Sequence, residues 1–446
     1  MKNENIYKRG DVIMKLFGTM NINDMGNFEI GNCDVVDLAK EYGTPLYVVD
    51  EELVRDNCKL FNKSFSLKGI NTEVIYASKA FLNLAICKII KAEGLCLDVV
   101  SGGELYTALK ANFPPNKIYM HGNNKTEEEL TLAIKSGVGR IIVDNRQELD
   151  LLESLCEELD KKIDVLLRVN PGIEAYTHEY IQTSKNDSKF GESIFSDDIH
   201  FVINKFQMSD RVNLKGFHCH IGSQIFEEQS FYSSVLAMFE FIKEIKDKSN
   251  FTTEELNLGG GFGVRYTDED DQIDIKKCLN NMLLLIKDVT QKIGVKIPKV
   301  MIEPGRAIVA NAGTTLYKIG GTKKTYSGKE YIFVDGGMTD NPRTALYNAK
   351  YEAVVANKMN FEHGKTYTVA GKCCESGDII IKNIKLPKVQ RNDVLAVLST
   401  GAYNYSMSSN YNRILKPAVV FVKGGESRLA VKRETYEDLI RNDILF

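Results

Sequence analysis

A few stretches of this 446-residue chain carry residue types that can do chemistry on a small molecule. Tyr76-Ala77-Ser78-Lys79-Ala80 closes an apolar, strand-like run with a single lysine. A lysine at a buried strand end is costly to desolvate, and that cost moves its amine toward the pKa of a nucleophile. Alone it would read as a solvated loop residue, so its weight comes from its companions. Glu303-Pro304-Gly305-Arg306 puts a carboxylate and a guanidinium within four residues. Gly259, Gly260 and Gly261 remove every Cβ from one turn, which lets backbone N–H groups approach an anion such as a phosphate. Cys373 and Cys374 precede Glu375, so a thiol able to give a proton stands beside a carboxylate able to hold an ammonium group. His218 and His220 are assigned to opposite faces of one strand, which excludes joint ligation of a metal and leaves one ring facing the interior. No metal site is expected.

These groups need a scaffold that brings them to one place. From Leu46 to Ile302 short apolar runs alternate with longer amphipathic ones, the pattern of βα units around a parallel sheet. After a lead-in strand at Leu46 to Val49, strands are expected at Val74 to Ala77, Leu97 to Val100, Ile118 to His121 and Arg140 to Val143. Four more are expected at Asp164 to Val169, Leu214 to Ile221, Leu256 to Leu258 and Val300 to Ile302. Eight such units match a (β/α)8 TIM-like barrel, whose active sites sit where the strands end. Lys79, His121, Arg168, His220, the glycine run and Glu303 all fall at such ends. An open doubly wound sheet fits less well, because no GxGxxG turn follows the first strand. Beyond Ala307 the pattern is strand-rich, with runs at Thr314 to Ile319, Lys329 to Asp335, Thr366 to Gly371, Val394 to Leu398 and Ala418 to Lys423. We expect a barrel over 45–306 and a mostly antiparallel β-barrel or sandwich domain over 307–446, joined by residues 1–44 with a short helix at Val35 to Glu41.

Composition narrows the partners. A net charge of -3, with 43% hydrophobic and 26% charged residues, leaves no electrostatic footprint for nucleic acid or membrane. Nine scattered cysteines without a CxxC pair indicate neither a disulfide framework nor a zinc ribbon, which fits a reducing, cytoplasmic setting. Neither a signal peptide nor a bilayer-spanning run is visible.

Taken in order, YASKA (76–80), SGGEL (101–105), HGNNKT (121–126), HIGSQ (220–224), GGGFG (259–263), EPGR (303–306), CESGD (374–378) and GAY (401–403) resemble the diaminopimelate decarboxylases over nearly the whole chain. These are pyridoxal-phosphate enzymes of the alanine racemase-like group. The resemblance implies that Lys79 is the Schiff-base lysine and His220 the histidine stacked on the cofactor ring. Glu303 would face the pyridine nitrogen and keep the ring an electron sink. Ser223, Gly259 to Gly261, Gly305, Arg306 and Tyr403 would complete the cofactor site. Arg306, Arg343, Tyr347, Glu375 and Tyr403 would bind substrate, with Cys374 as the proton donor.

The implied reaction is decarboxylation of meso-diaminopimelate to L-lysine, in a homodimer whose sites are shared between subunits. The nearest alternative is a related decarboxylase of ornithine, arginine or carboxynorspermidine; Arg343 and the Cys-Glu-Ser-Gly-Asp run argue against ornithine, which has no distal carboxylate for a second arginine to pair with. A racemase would avoid a carboxylate at the ring nitrogen. A non-enzymatic pyridoxal-phosphate carrier would need only the barrel, and about 140 further residues are a whole domain more.

Overall fold

Parallel strands cannot be joined by tight turns, so each apolar run must be followed by a crossover, and eight such units close most simply into a ring. The computed structural model describes residues 5–9, 12–173 and 188–446. It divides into two compact units, one of Cys58–Gly263 with Gln272–Ala307, the other of Met1–Asn57, Val264–Asp271 and Ile308–Phe446.

The first unit is the barrel. Its strands are β1 (Thr72–Ala77), β2 (Cys96–Val99), β3 (Ile118–Met120), β4 (Arg140–Val143), β5 (Ile163–Asn170), β6 (Val212–His218), β7 (Glu255–Asn257) and β8 (Lys299–Ile302). Each pairs in parallel with its neighbours, β8 with β1, and β4 with β5 closes the ring. Ile75, Cys96, Tyr119, Ile142, Leu166 and Met301 form a buried layer inside it. Burial of each large member is worth roughly 1.5–3 kcal/mol. Below this layer, near the strand starts, Lys299 pairs with Glu73 at 3.0 Å and Arg140 donates to both oxygens of Glu255 at 2.8 and 2.7 Å. Charges at that end serve stability, which leaves the opposite rim for chemistry.

Two of the sequence motifs begin helices on that opposite rim. Ser101 caps Gly102–Lys110, and Thr126 caps Glu127–Ser136 through a capping box with Glu129. Lys125, one residue earlier, is fully buried. Its Nζ donates to the carbonyls of Gly122 and Ile142 at 2.7 Å and to Glu148 at 2.6 Å.

The second unit is a mixed, mainly antiparallel sheet. Its order is Ile379–Leu386, Lys365–Ala370, Glu330–Val334, Gly313–Lys324, Leu46–Asp50, Ala418–Lys423 and Glu426–Val431. Val394–Val397 pairs with both Gly313–Lys324 and Ala353–Val355. Phe28, Leu38, Leu46, Leu316 and Val420 belong to its core. The helix Val35–Tyr42 is capped by Asp34 and stopped at Gly43.

The barrel does not begin at residue 45. Leu46–Asp50 pairs antiparallel with Gly313–Lys324 and parallel with Ala418–Lys423. A strand buried on both faces is uniformly apolar, and that pattern does not say which sheet receives it. The strands Ala353–Val355, Ile379–Leu386 and Glu426–Val431 are additions to the expected set. Lys382, Asn383 and Lys385 interrupt the second, and the third is a charged edge strand, so apolar runs do not mark them.

The Lys125–Glu148 pair generates a stability prediction. Lys125→Met leaves a buried carboxylate without its cation and should cost about 3–5 kcal/mol in urea unfolding, whereas Lys125→Met with Glu148→Leu should recover most of that loss. A single variant as stable as the parent would contradict the arrangement.

Candidate active site

The chemistry of the barrel rim is organised by one carboxylate. Glu303, the first residue after β8, is buried, and it accepts from His121 Nε2 at 2.9 Å, His218 Nε2 at 3.2 Å and Asn257 Nδ2 at 2.7 Å. The donors come from the ends of β3, β6 and β7. Burial works against the charge on Glu303, but the two imidazoles outweigh it and hold its carboxyl well below the usual carboxylate range. Burial holds His218 down to about 4 despite that contact, so its ring is neutral and donates from Nε2. The ligand atoms of His121, His218 and Glu303 lie within 4.8 Å of one another, close enough for a metal, yet they are already engaged with each other. A buried ionised carboxylate on a barrel rim fits a protonated aromatic nitrogen, and so fits pyridoxal phosphate.

Lys79 lies in a one-turn 3-10 segment, Ser78–Ala80, directly after β1. Asp98 at the end of β2 accepts the Ser78 N–H at 2.8 Å, and Pro304 accepts the Ala77 N–H at 3.2 Å. A Cβ on Gly305 would lie 2.8 Å from that of Ala77, so glycine in EPGR lets the two segments close together. The strand ends before Lys79, and its side chain is exposed, which corrects the expectation of a lysine buried at the strand end. Burial and then the charge of Glu303 push Asp98 well above the carboxylate range, with Lys79 opposing them.

The glycine run has a second reason to be glycine. A Cβ at Gly259, Gly260 or Gly261 would fall 2.5, 2.0 or 2.4 Å from the carbonyl oxygens of Cys219, Glu303 and Gly222 respectively. The turn is threaded between the ends of β6 and β8, and no side chain fits there. Gly260 N–H donates to His220 Nδ1 at 3.3 Å, and Arg306 donates to Ser223 Oγ at 3.1 Å. His220 is held well below its usual pKa by burial first, then by the positive charges of Lys79 and Arg168.

His218 and His220 do not face opposite ways in the manner expected. Residues two apart share one face of a regular strand, and β6 stops at His218, so both reach the region of Glu303. Beside His121, three further groups belong to this rim; His121 and Arg168 are placed only at strand ends in the sequence reading, without a role, and Asp98 and Asn257 are given none there. Asp98 is a polar residue in an otherwise apolar strand, and Asn257 lies between Leu256 and Leu258, a signal of the same kind as Lys79. Arg168 is largely buried, 3.9 Å from Asp144 and 4.3 Å above the Phe190 ring.

The remaining site candidates lie in the other unit. Arg343 is buried, donates to the hydroxyls of Tyr266 at 3.1 Å and Tyr351 at 3.2 Å, and lies 5.9 and 6.0 Å from the rings of Tyr347 and Tyr403. No carboxylate pairs with it among the described residues. Tyr403 has a φ of 63°, a left-handed conformation uncommon outside glycine. Cys373 is buried and its thiol is pushed up to about 12, by burial and then by Asp378, whereas Cys374 and Glu375 are exposed.

The depressed pKa of His218 fixes the sign of a pH effect. Below its ordinary value of 6.5 the unfolded chain takes up a proton that the native protein refuses until about 4, so stability falls as the pH falls through this window. Urea unfolding of the cofactor-free protein should therefore lose about 2 kcal/mol between about pH 6.5 and pH 4.5 from this ring alone. His218→Asn should flatten the slope by that amount, and an unchanged slope would mean that the ring is not held neutral.

Comparison with known proteins bears on the fold and the family. Residues 51–310 match the family model for the pyridoxal binding domain of the pyridoxal-dependent decarboxylases. The chain is 49% identical over 433 residues to the diaminopimelate decarboxylase of Bacillus subtilis, covering 97% of this chain and 99% of that one. It is 50% identical over 421 residues to the same enzyme of Bacillus methanolicus, covering 94% and 98%. A solved diaminopimelate decarboxylase from M. jannaschii in complex with L-lysine superposes with a TM-score of 0.88 at 35% identity, over 96% of this chain and 98% of that one. The barrel and this likeness across nearly the full length lead to one assignment: the chain belongs to the diaminopimelate decarboxylase family of pyridoxal-dependent decarboxylases.

Proposed function

We propose that this chain releases CO2 from meso-2,6-diaminopimelate to give L-lysine, with pyridoxal phosphate held at the barrel rim. The observation that carries the substrate is Arg343, a buried guanidinium ringed by tyrosine hydroxyls and rings with no carboxylate of its own among the described residues. Such a group favours a ligand that brings a carboxylate. Diaminopimelate has one to spare after decarboxylation, and ornithine and arginine do not.

When bound, pyridoxal phosphate supplies an electron sink for the pair left behind by departing CO2. Lys79 would hold it through its side-chain amine. Glu303, already hydrogen-bonded by His121, His218 and Asn257, would offer a fixed negative charge to the ring nitrogen, and His220 would stack on the ring. Gly259 to Gly261, Ser223, Gly305 and Tyr403 would hold the phosphate end. Arg306 and Arg343 bind carboxylates, Tyr347 lines the substrate, and Glu375 takes the distal ammonium. Cys374 gives a proton to the carbon that lost CO2. Its neighbour Cys373 is the weaker candidate, being buried with its proton held tightly.

We further propose a homodimer with shared sites. A proton donor must be sheltered from water to act selectively, and Cys374 and Glu375 are exposed in the single chain, which suits a turn that a second subunit covers. The nine free cysteines and the lack of any helix long and apolar enough to span a membrane among the described residues support a cytoplasmic enzyme handling a small molecule.

Two tests follow. Lys79→Ala should remove the visible absorbance of the bound cofactor together with activity, and mixing it with inactive Cys374→Ala should restore about half the sites of each heterodimer. No recovery after demonstrated subunit exchange would place both residues in one chain's site. Arg343→Met should lower kcat/KM for diaminopimelate by at least about a hundredfold while leaving cofactor absorbance intact. A variant as efficient as the parent would remove Arg343 from the substrate site.

A further inference from the structure

The turn that bears Cys374 and Glu375 is short of rigid support from its own side chains. Cys374 N–H donates to Asn412 Oδ1 at 2.8 Å, and the Glu375 carboxylate accepts the Gly377 N–H at 3.1 Å. What closes the turn is Asp378, the last residue of CESGD and a position to which the decarboxylation scheme gives no work. Asp378 is buried, and its two carboxylate oxygens serve two different segments. Oδ2 accepts the Cys373 N–H at 2.8 Å, within the turn, while Oδ1 accepts the Met338 N–H at 2.7 Å, forty residues away in sequence. Met338 belongs to the segment that runs directly into Arg343–Tyr347.

The surroundings are shaped around that carboxylate. A Cβ on Gly337 would lie 2.5 Å from the Asp378 oxygens and one on Gly371 would lie 2.2 Å from them, so each of the two segments has a glycine where the carboxylate sits. Backbone bonds run alongside, from Lys372 N–H to Gly336 O at 2.9 Å and from Gly371 N–H to Asp378 O at 3.0 Å. On its other side the Met338 segment is held by Asp340, which accepts from Gly337 N–H at 2.9 Å and from the Tyr317 hydroxyl. Tyr47 in turn donates to the Asp340 carbonyl at 2.6 Å.

We propose that Asp378 is a positioning residue that locks the Cys374–Glu375 turn to the segment carrying Arg343 and Tyr347, so that the proton donor and the carboxylate-binding arginine of one chain are placed as a single body. The proposal rests on the substrate roles given to those four residues above. An aspartate that merely stabilised the sheet would need one well-made contact anywhere in it. This one instead spends both oxygens on the amides of the two functional segments. A carboxamide of the same size offers one acceptor to those two N–H groups and opposes the other with its own NH2, so Asp378→Asn releases one segment without removing volume.

Three readouts test the tie in the cofactor-loaded protein. In the parent, the amide hydrogens of Met338 and Cys373 should exchange slowly and in one kinetic class, and rapid exchange of either would overturn the proposal whatever the variant does. Asp378→Asn should keep cofactor content and absorbance, lose at least about tenfold in kcat/KM, and alkylate Cys373 at least about tenfold faster while the other buried cysteines stay protected. Faster labelling of all the cysteines together would show a general loss of stability and overturn it, as would full activity.

Finally, Asp378→Asn should behave in subunit mixing as Cys374→Ala does, regaining activity with Lys79→Ala and none with Cys374→Ala. Failure of the Lys79→Ala and Cys374→Ala pair to recover counts against the shared site alone. Recovery of that pair without recovery of Asp378→Asn with Lys79→Ala counts against the tie.

Discussion

Everything on the barrel rim depends on keeping one carboxylate charged where water does not reach it. Glu303 is buried, and burial by itself would neutralise it. Three donors from three other strands prevent that, and each must arrive within about 3 Å. This requirement explains why the strands end where they do. His218 is the last residue of β6 and Asn257 the last of β7, while His121 follows β3 and Glu303 follows β8. The ring closure that brings β8 beside both β1 and β7 also sets the Lys79 turn against EPGR, through Ala77 N–H and the bare Cα of Gly305. A barrel with one strand out of register would lose the charge on Glu303 and the placement of Lys79 together.

The barrel was legible because its constraint is local and repeated. Each strand is a short apolar run, each crossover an amphipathic helix, and the eight expected strands match the observed ones to within a few residues at each end. What escaped was pairing between distant segments. Leu46–Asp50 reads as a barrel strand because full burial erases any trace of which neighbours it has, and its partners lie more than 250 residues later. Edge strands such as Glu426–Val431 carry charge because water faces them, so an apolar criterion passes over them.

The site was legible where a polar residue interrupts apolar sequence. Lys79 and Glu303 are of this kind, and Asp98 and Asn257 offered the same signal unused. The environment of each group was not legible. Lys79 is exposed because the chain turns after Ala77, and the glycine run is explained by backbone packed on three sides as much as by any anion. The pairing of His218 with His220 was misjudged because their two-residue spacing puts them on one side. The doubled cysteine is separated by burial: Cys373 faces Asp378 and Cys374 faces outward.

Specificity is the central claim, and it turns on a buried guanidinium that no carboxylate among the described residues pairs with. If Arg343 waits for a distal carboxylate, an amino acid without one leaves it unpaired, at a cost of several kcal/mol in transition-state binding. The direct measurement is kcat/KM of the purified, cofactor-loaded protein for meso-diaminopimelate, ornithine and arginine, read as CO2 released. The account predicts that diaminopimelate exceeds the other two by at least about a thousandfold, with one lysine formed per CO2. Comparable turnover of ornithine or arginine would contradict it.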